Sequence, residues 1–193
     1  SWYIYQRIDV HPQQDRVDGS GWIAGSMLTV AIDDPGSPAN PDYSNTTSVI
    51  INPGDPNSTF FNLDFSGIYD LQPGHIVTVT DGTTTKTHTV TSVQILKVNA
   101  TADMISGTAT PDSFVDVETC GIGACYYRTE QADGSGNWLA NFSVLGDQAW
   151  EQTVFDIRPD QTGIARQYDD DRDATMVDWI ARYEVFLPLI IRN

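Results

Sequence analysis

The chain has 193 residues, a formal net charge of -16 and a pI near 4.1, and 40% of its residues are hydrophobic. That apolar fraction is too high for a disordered chain, and the length suffices for one large or two small domains. The acidic charge argues against nucleic acid and anionic membranes as partners, and no apolar run approaches the ~20 residues of a membrane-spanning helix.

The first predicted element is a β-strand at residues 1–10, which read SWYIYQRIDV. Apolar and polar side chains alternate along it, as they do in a strand with one buried and one exposed face. The face predicted to be buried carries four side chains, Trp2, Ile4, Ile8 and Val10.

An internal repeat sets the predicted number of units. Residues 6–21 align without a gap to residues 94–109, and the later motif FFNLDFS corresponds to NWLANFS in the same order. The matched pairs in the first alignment are Gln6/Gln94, Ile8/Leu96, Val10/Val98, Asp15/Asp103, Val17/Ile105 and Gly19/Gly107.

Each copy of the repeat consists of short alternating segments separated by turn sequences such as DDPGSP and ADGSGN. About seven short strands per unit are typical of the immunoglobulin-type β-sandwich. The sequence therefore predicts an all-β fold. It comprises two tandem immunoglobulin-like β-sandwich domains, at 11–98 and 99–193, with an extra N-terminal strand at 1–10.

Two strands at matching positions of the repeat supply the predicted core residues. In each of them every second side chain is apolar, so one face should be buried. The residues predicted to face the two cores are Phe61, Leu63 and Phe65 in the first unit and Trp138, Ala140 and Phe142 in the second.

The segments ISGTATPDSFVDVET, ADGSGNWLANFS and TDGTTTKTHTV resemble the tandem immunoglobulin-like repeats of secreted and surface-attached bacterial proteins. The resemblance covers most of residues 15–180. It implies an extracellular or cell-surface location and says little about activity. The first unit departs from the pattern, because it carries the Pro-rich insertion PGSPANPDYSN and has no cysteine pair.

The two cysteines, Cys120 and Cys125, flank the sequence GIGA between two strand-like segments. Such a Gly-rich link predicts a hairpin with the cysteines opposite each other at its neck. We therefore predict a disulfide, which would imply an oxidising compartment.

Four Asn-x-Ser/Thr sequences are potential acceptors of N-linked glycans. They begin at Asn45, Asn57, Asn99 and Asn141. Asn141 alternates with apolar neighbours and is predicted to lie on the outer face of its strand. Glycosylation and chance occurrence of the motif are both open from the sequence.

The segment YDDDRDATMVD contains the most closely spaced carboxylates of the chain. Asp169, Asp171 and Asp173 have the alternate spacing with which calcium loops collect oxygen ligands. Ala174 and Ile180 stand, however, where such a loop needs a glycine and a bidentate acid. A calcium site and an acidic hairpin tip are therefore both open, and no other cofactor is predicted.

The sequence offers no catalytic motif, and we predict that the protein is not an enzyme. His11 precedes a proline in a predicted linker, and His88 lies on a threonine-rich strand that looks exposed. No G-x-S-x-G nucleophile motif is present. The five tryptophans raise the alternative of a glycan-binding surface, for which Trp22, Trp150 and Trp179 could each be buried or exposed.

The C-terminal segment YEVFLPLII predicts a closing strand. Its alternating residues are Tyr183, Val185, Leu187, Leu189 and Ile191. By the repeat, residues 6–10 match 94–98, which are predicted to close the first unit, so residues 2–10 have no preceding domain to close. They either fold back on the first unit as an edge strand or add to the sheet of a neighbouring subunit. We hypothesise that they dock beside 183–191 of the next subunit and build a filament.

These inferences lead to one functional hypothesis and one alternative. The hypothesis is a non-catalytic extracellular structural protein, a surface or filament subunit that assembles by β-strand addition. Its partners would be further copies of the same chain. The alternative is an extracellular ligand-binding module that recognises a glycan or a surface protein.

Overall fold

The computed structural model describes residues 5–121 and 123–182, which form an all-β fold of packed sheets. These residues contain fifteen β-strands, one short 3-10 helix (Pro12–Gln14) and no α-helix. The strands before residue 90 are β1 (Arg7–His11), β2 (Arg16–Ser20), β3 (Met27–Asp33), β4 (Tyr43–Ser48), β5 (Ile50–Asn52), β6 (Asp55–Asp64), β7 (Ile76–Thr80) and β8 (Thr85–Thr89). The later ones are β9 (Gln94–Asn99), β10 (Met104–Thr108), β11 (Phe114–Cys120), β12 (Cys125–Gln131), β13 (Asn137–Asn141), β14 (Thr162–Tyr168) and β15 (Ala174–Ile180).

The strands form two sandwiches that share one sheet. The first sandwich packs β1-β2-β6-β5 against the four-stranded sheet β4-β3-β7-β8. The second packs β12-β11-β14-β15 against the three-stranded sheet β13-β10-β9. Because β15 pairs with β1, one half of each sandwich belongs to a continuous eight-stranded sheet, β12-β11-β14-β15-β1-β2-β6-β5.

Each sandwich encloses its own apolar core. The first core runs from Ile8 to Val90, and the second runs from Val93 to Ala181. All six residues predicted to face the cores are buried, which confirms that prediction. Phe65, Ala140 and Phe142 have no exposed surface at all.

The repeat seen in the sequence corresponds to a repeated hydrogen-bonded turn. Asp15 and Asp103 both adopt the left-handed conformation, with φ of 49° and 54°. The Asp15 carboxylate accepts a hydrogen bond from the N–H of Leu71 at 2.9 Å, and the Asp103 carboxylate accepts one from Ile157 at 2.8 Å. Asp tolerates this backbone conformation better than most residues, which explains why both copies carry it.

The second shared feature is a glycine that lies beneath an aromatic ring. Gly19 packs under Phe61, and Gly107 packs under Trp138. A side chain at Gly107 would overlap the carbonyl oxygen of Gln94 as well as the indole ring. The glycine is therefore required by close approach within the sheet.

Residues 94–98, predicted to close the first unit, lie in β9, which is part of the second sandwich. β9 pairs with β10, and its residues Ile95 and Val98 pack against the second core. β1 pairs with β2 in the same way and so takes the place of a first strand in its own unit. The cores divide between Val90 and Val93, whereas the predicted boundary at 98/99 falls within β9, before its last residue.

Replacing Phe142 by Ala should destabilise the protein, because the ring is fully buried in the second core. We expect a loss of about 3–5 kcal/mol in the free energy of unfolding, measured by chemical denaturation. Leu139→Ala on β13, the strand that ends just before Phe142, is the control, since Leu139 is 51% exposed and should change stability by less than about 0.5 kcal/mol. Equal effects of the two substitutions would show that Phe142 is no more deeply packed than Leu139.

Adding one methyl group at Gly107 should also be destabilising, by about 1–3 kcal/mol, because the new carbon has no space beneath Trp138. The matched control is Gly134→Ala, where an added carbon meets no atom within 4 Å. Thermal unfolding of the two variants gives the comparison. A Gly107→Ala protein as stable as Gly134→Ala would contradict the close packing.

Candidate functional site at the junction of the two units

The strand β1 joins the two units. It pairs antiparallel with β2 from Arg7 to His11, and parallel with β15 through Asp9 and Val10. Ile8 and Val10 point into the first core and have no exposed surface. β1 is therefore an interior strand of the eight-stranded sheet.

This placement differs from the hypothesis that the strand is donated to a neighbouring subunit. Both edges of β1 are hydrogen-bonded to strands of its own chain, so residues 7–11 are not available to a second sheet. It also differs from the alternative of an edge strand. The other residues of the predicted assembly strands lie outside the described residues, and they are Trp2, Ile4, Tyr183, Val185, Leu187, Leu189 and Ile191.

A buried carboxylate fixes β1 to the loop before β15. Asp173 has no exposed surface, and its Oδ1 accepts a hydrogen bond from the N–H of Ile8 at 2.8 Å. The ammonium group of Lys86, on β8, lies 3.3 Å from Oδ2 of Asp173 and also pairs with Asp171. An ion pair with a cation from the first unit thus compensates the buried charge of the second.

His88 makes a second connection between the units, and it lies on β8, the strand that also carries Lys86. Its Nδ1 lies 2.6 Å from Oδ2 of Asp169, and its Nε2 lies 2.8 Å from Oγ1 of Thr175. The N–H of Thr91 donates to that hydroxyl at 2.8 Å. His88 is 1% exposed, which corrects the prediction of an exposed strand at this position.

His11 also differs from its predicted place in a linker. It is the last residue of β1 and is 4% exposed. Its Nε2 lies 3.0 Å from the carboxylate of Asp18. The two histidines are therefore both components of the folded interior.

The three aspartates predicted as calcium ligands do come together. One carboxylate oxygen from each of Asp169, Asp171 and Asp173 lies within 4.8 Å of the others. Lys86 and His88 contact these same carboxylates, so a calcium ion would compete with the chain's own cationic and hydrogen-bonding groups. Calcium binding stays a prediction of the sequence.

Burial sets the protonation of this cluster. It raises the pKa of Asp173 to about 6, although the N–H of Ile8 and the charge of Lys86 act in the opposite direction. Burial also raises the pKa of Asp169. The hydrogen bond from Lys86 lowers the pKa of Asp171. Among the three aspartates of this cluster, Asp173 is therefore the one whose surroundings oppose ionisation most strongly.

A cleft of about 620 Å³ opens beside the acidic loop, and we call it the junction cleft. Residues from both units line it. Those from the first unit are Tyr5, Arg7 and Ser20. Those from the second are Asp116, Trp150, Tyr168, Asp171 and Arg172. A groove of about 480 Å³ adjoins it and shares Tyr5, Asp171 and Arg172.

Two buried charged residues hold the loop that carries Trp150. Arg128 is 2% exposed, and its guanidinium donates to the carbonyl oxygens of Asn141 at 2.9 Å and Thr153 at 3.0 Å. Glu151 is equally buried and accepts a hydrogen bond from the N–H of Thr129 at 2.7 Å. Trp150 itself remains 65% exposed.

The other two tryptophans left open by the sequence are buried. Trp22 is 1% exposed in the first core, and Trp179 is 4% exposed in the second. Trp150 was thus the one functional candidate among the three. Arg7, Asp116 and Lys86 carried no signal in the sequence, because their proximity depends on the packing of the two units.

The predicted disulfide is present. Cys120 and Cys125 are opposite each other at the end of the β11–β12 hairpin, and their Cα atoms lie 4.0 Å apart. The bond closes the tip of an edge hairpin of the eight-stranded sheet. Such bonds persist in oxidising compartments.

The four potential glycosylation sites differ in exposure. Asn45 and Asn57 are exposed on β4 and β6, whereas Asn99 and Asn141 are half-buried. The side-chain oxygen of Asn141 accepts hydrogen bonds from the N–H and hydroxyl groups of Ser143. Glycosylation of these residues stays a prediction.

Comparisons with known proteins assign this chain to no family, and they find solved structures that resemble it only distantly. No protein-family model matches the sequence, and a search of curated proteins gives no match.

Among the described residues, no helix is long and apolar enough to span a membrane.

Three solved structures represent the similarity. A tetra-tandem repeat from the extending region of a large adhesion protein is 13% identical, with a TM-score of 0.33 and coverage of 93% of this chain and 50% of that one. The BSP domain of a biofilm-associated protein is 11% identical, with a TM-score of 0.33. The match covers 93% of this chain and 30% of that one. A bacterial ice-binding adhesin is 14% identical, with a TM-score of 0.30. The match covers 94% of this chain and 65% of that one. This chain thus spans between 30% and 65% of those chains.

The buried Asp173 predicts a pH dependence of stability. Its pKa rises from the ordinary 3.8 to about 6 on folding, so between these values the folded chain holds a proton that the unfolded chain releases. Stability should therefore fall as the pH rises from about 4 to 6, by up to about 3 kcal/mol from this residue. Asp173→Asn should flatten that part of the profile, measured by urea denaturation at a series of pH values.

Asp170→Asn is the control for this experiment, because Asp170 is the exposed neighbour in the same loop. It should leave the shape of the profile between pH 4 and 6 unchanged. An unaltered profile in Asp173→Asn would show that Asp173 ionises normally in the folded protein.

Proposed function

We propose that this chain is a non-catalytic structural module of an extracellular, surface-exposed protein. The observation that carries the proposal is the eight-stranded sheet that runs through both units. A continuous sheet resists bending between the two sandwiches, since their relative movement would break the β1–β15 pairing and the ion pairs of Lys86. Two sandwiches that are joined rigidly in this way are suited to bear load at a cell surface or to hold other domains away from it.

The disulfide supports the extracellular part of the proposal. Cytosolic thiols are kept reduced, whereas Cys120 and Cys125 are joined in the folded chain. The net charge of -16 adds solubility and mutual repulsion between copies.

The environment of the histidines supports a role without catalysis. His88 is held between Asp169 and Thr175, and His11 is paired with Asp18 in the sheet. Each is buried, and its ring nitrogens are used by structural partners.

Assembly into a filament by strand addition is the finer form of the structural hypothesis. Since β1 is used within its own sheet, strand addition would have to use an outer strand such as β5 or β12 of the eight-stranded sheet. We therefore assign β1 to pairing within its own chain.

Ligand recognition is the second candidate function. The junction cleft favours it, because an exposed tryptophan lies beside charged side chains in a concave site of the size used for small ligands. A structural module with such a cleft would also act as an adhesive one.

The location of the chain tests the proposal. An antibody against the purified protein should label intact source cells or their secreted fraction, and externally added protease should remove the label. A cytosolic protein of the same cells serves as the control and should be protected until the cells are lysed. Labelling that appears only after lysis, together with free thiols at both cysteines, would overturn the extracellular assignment.

A further inference from the structure

We propose that the junction cleft binds a carbohydrate chain. This inference rests on the proposed extracellular function and names the ligand class of the site. It is carried by three observations: the shape of the cleft, its exposed aromatic rings, and its mixture of hydrogen-bond donors and acceptors.

The shape favours an extended ligand. The junction cleft of about 620 Å³ continues into the groove of about 480 Å³, and the two share Tyr5, Asp171 and Arg172. Either volume alone lies in the range of small-molecule sites. A linear ligand with several similar groups fits two adjoining sites better than a compact one.

Two aromatic side chains are exposed where the cleft needs an apolar platform. Trp150 is 65% exposed and Tyr5 is 73% exposed. Sugar rings present C–H groups on their faces, and these pack against the electron-rich faces of aromatic rings. The loop that carries Trp150 is held in place, because Arg128 donates to the carbonyl oxygens of Val144 before it and Thr153 after it.

The polar lining suits hydroxyl groups. Each sugar hydroxyl both donates and accepts hydrogen bonds. Arg7 and Arg172 offer donors, while Asp116 and Asp171 offer acceptors. Arg7 uses Nη2 on Asp9 at 3.1 Å, and Arg172 forms no ion pair with any other described residue. The guanidinium of Arg172 thus remains available to a ligand.

The backbone at Arg172 supports a role for this side chain. Its φ of 70° lies in the left-handed region, which an arginine adopts at a cost that glycine avoids. Strained positions of this kind cluster at functional sites, so the conformation adds to the case that the geometry of the cleft makes for Arg172.

Other ligand classes fit the cleft less well. The net charge of the chain disfavours nucleic acid, and charged side chains on both walls disfavour an apolar ligand. Arg7, Lys86 and Arg172 are three of the chain's 10 basic residues, and they face the cleft or its groove. Neutral sugars and sugars with a carboxylate are both compatible with this lining.

Binding of the full chain to an array of short neutral, uronate-containing and sulfated oligosaccharides tests the proposal. We expect at least one group to bind, and titration calorimetry with the best oligosaccharide gives the affinity. Trp150→Ala should weaken it by about tenfold or more, the usual effect of truncating an aromatic anchor. Trp150→Phe should restore most of the binding.

Two further variants separate recognition from folding. Arg172→Gly relieves the left-handed strain, so it should bind more weakly while unfolding at the same or a higher temperature. Phe114→Ala is the matched control, because Phe114 is 60% exposed but does not line the cleft, and it should bind as the wild type does.

Absence of binding to every oligosaccharide of the array would overturn the inference, as would binding that Trp150→Ala and Arg172→Gly leave unchanged. A chain that is found on the cell surface but binds no sugar would disprove only the ligand assignment. A chain confined to the cytosol would disprove the proposed function, whatever it binds.

Discussion

The parallel pairing of β1 with β15 is the contact on which the arrangement of both units depends. Without it, each sandwich would end in an unpaired strand with exposed N–H and C=O groups, which is a site for unwanted association. The pairing removes both edges together and makes one eight-stranded sheet. It is short, and the hydrogen bond from Ile8 to the buried carboxylate of Asp173 extends it by one residue.

Much of the fold could be predicted because alternation and repetition report local physical constraints. The turn at Asp15 and Asp103 and the glycine beneath an aromatic ring recur in both units, since the same backbone geometry requires them. The position of the unit boundary could not be predicted in this way. An alignment of two copies establishes which residues correspond, and it leaves open where each copy begins, so β9 could be assigned to either unit.

The junction could be predicted only in part. The aspartates of the acidic loop stood out in the sequence, but carboxylates at that spacing suit a metal ion and a protein cation equally well. Lys86 lies more than 80 positions away in the chain, and only the side-by-side packing of the units brings its ammonium group to Asp171 and Asp173. The exposure of Trp150 is likewise a property of a loop conformation, which Arg128 and Glu151 establish from β12 and from the loop itself.

The charged junction also determines the shape of the cleft. A buried ion pair adds little net stability compared with apolar residues of the same size, but breaking it is costly, so it discriminates between correct and incorrect packing. Here the pair fixes how β8 lies against the loop before β15. The walls of the cleft come from β1 and β2 on one side and from β11, β14 and that same loop on the other. A shift of the units would therefore separate Tyr5 and Arg7 from Trp150 and Arg172. The contact that joins the two sandwiches thus also preorganises the cleft, and a preorganised site keeps the entropic cost of binding low for the ligand that we propose.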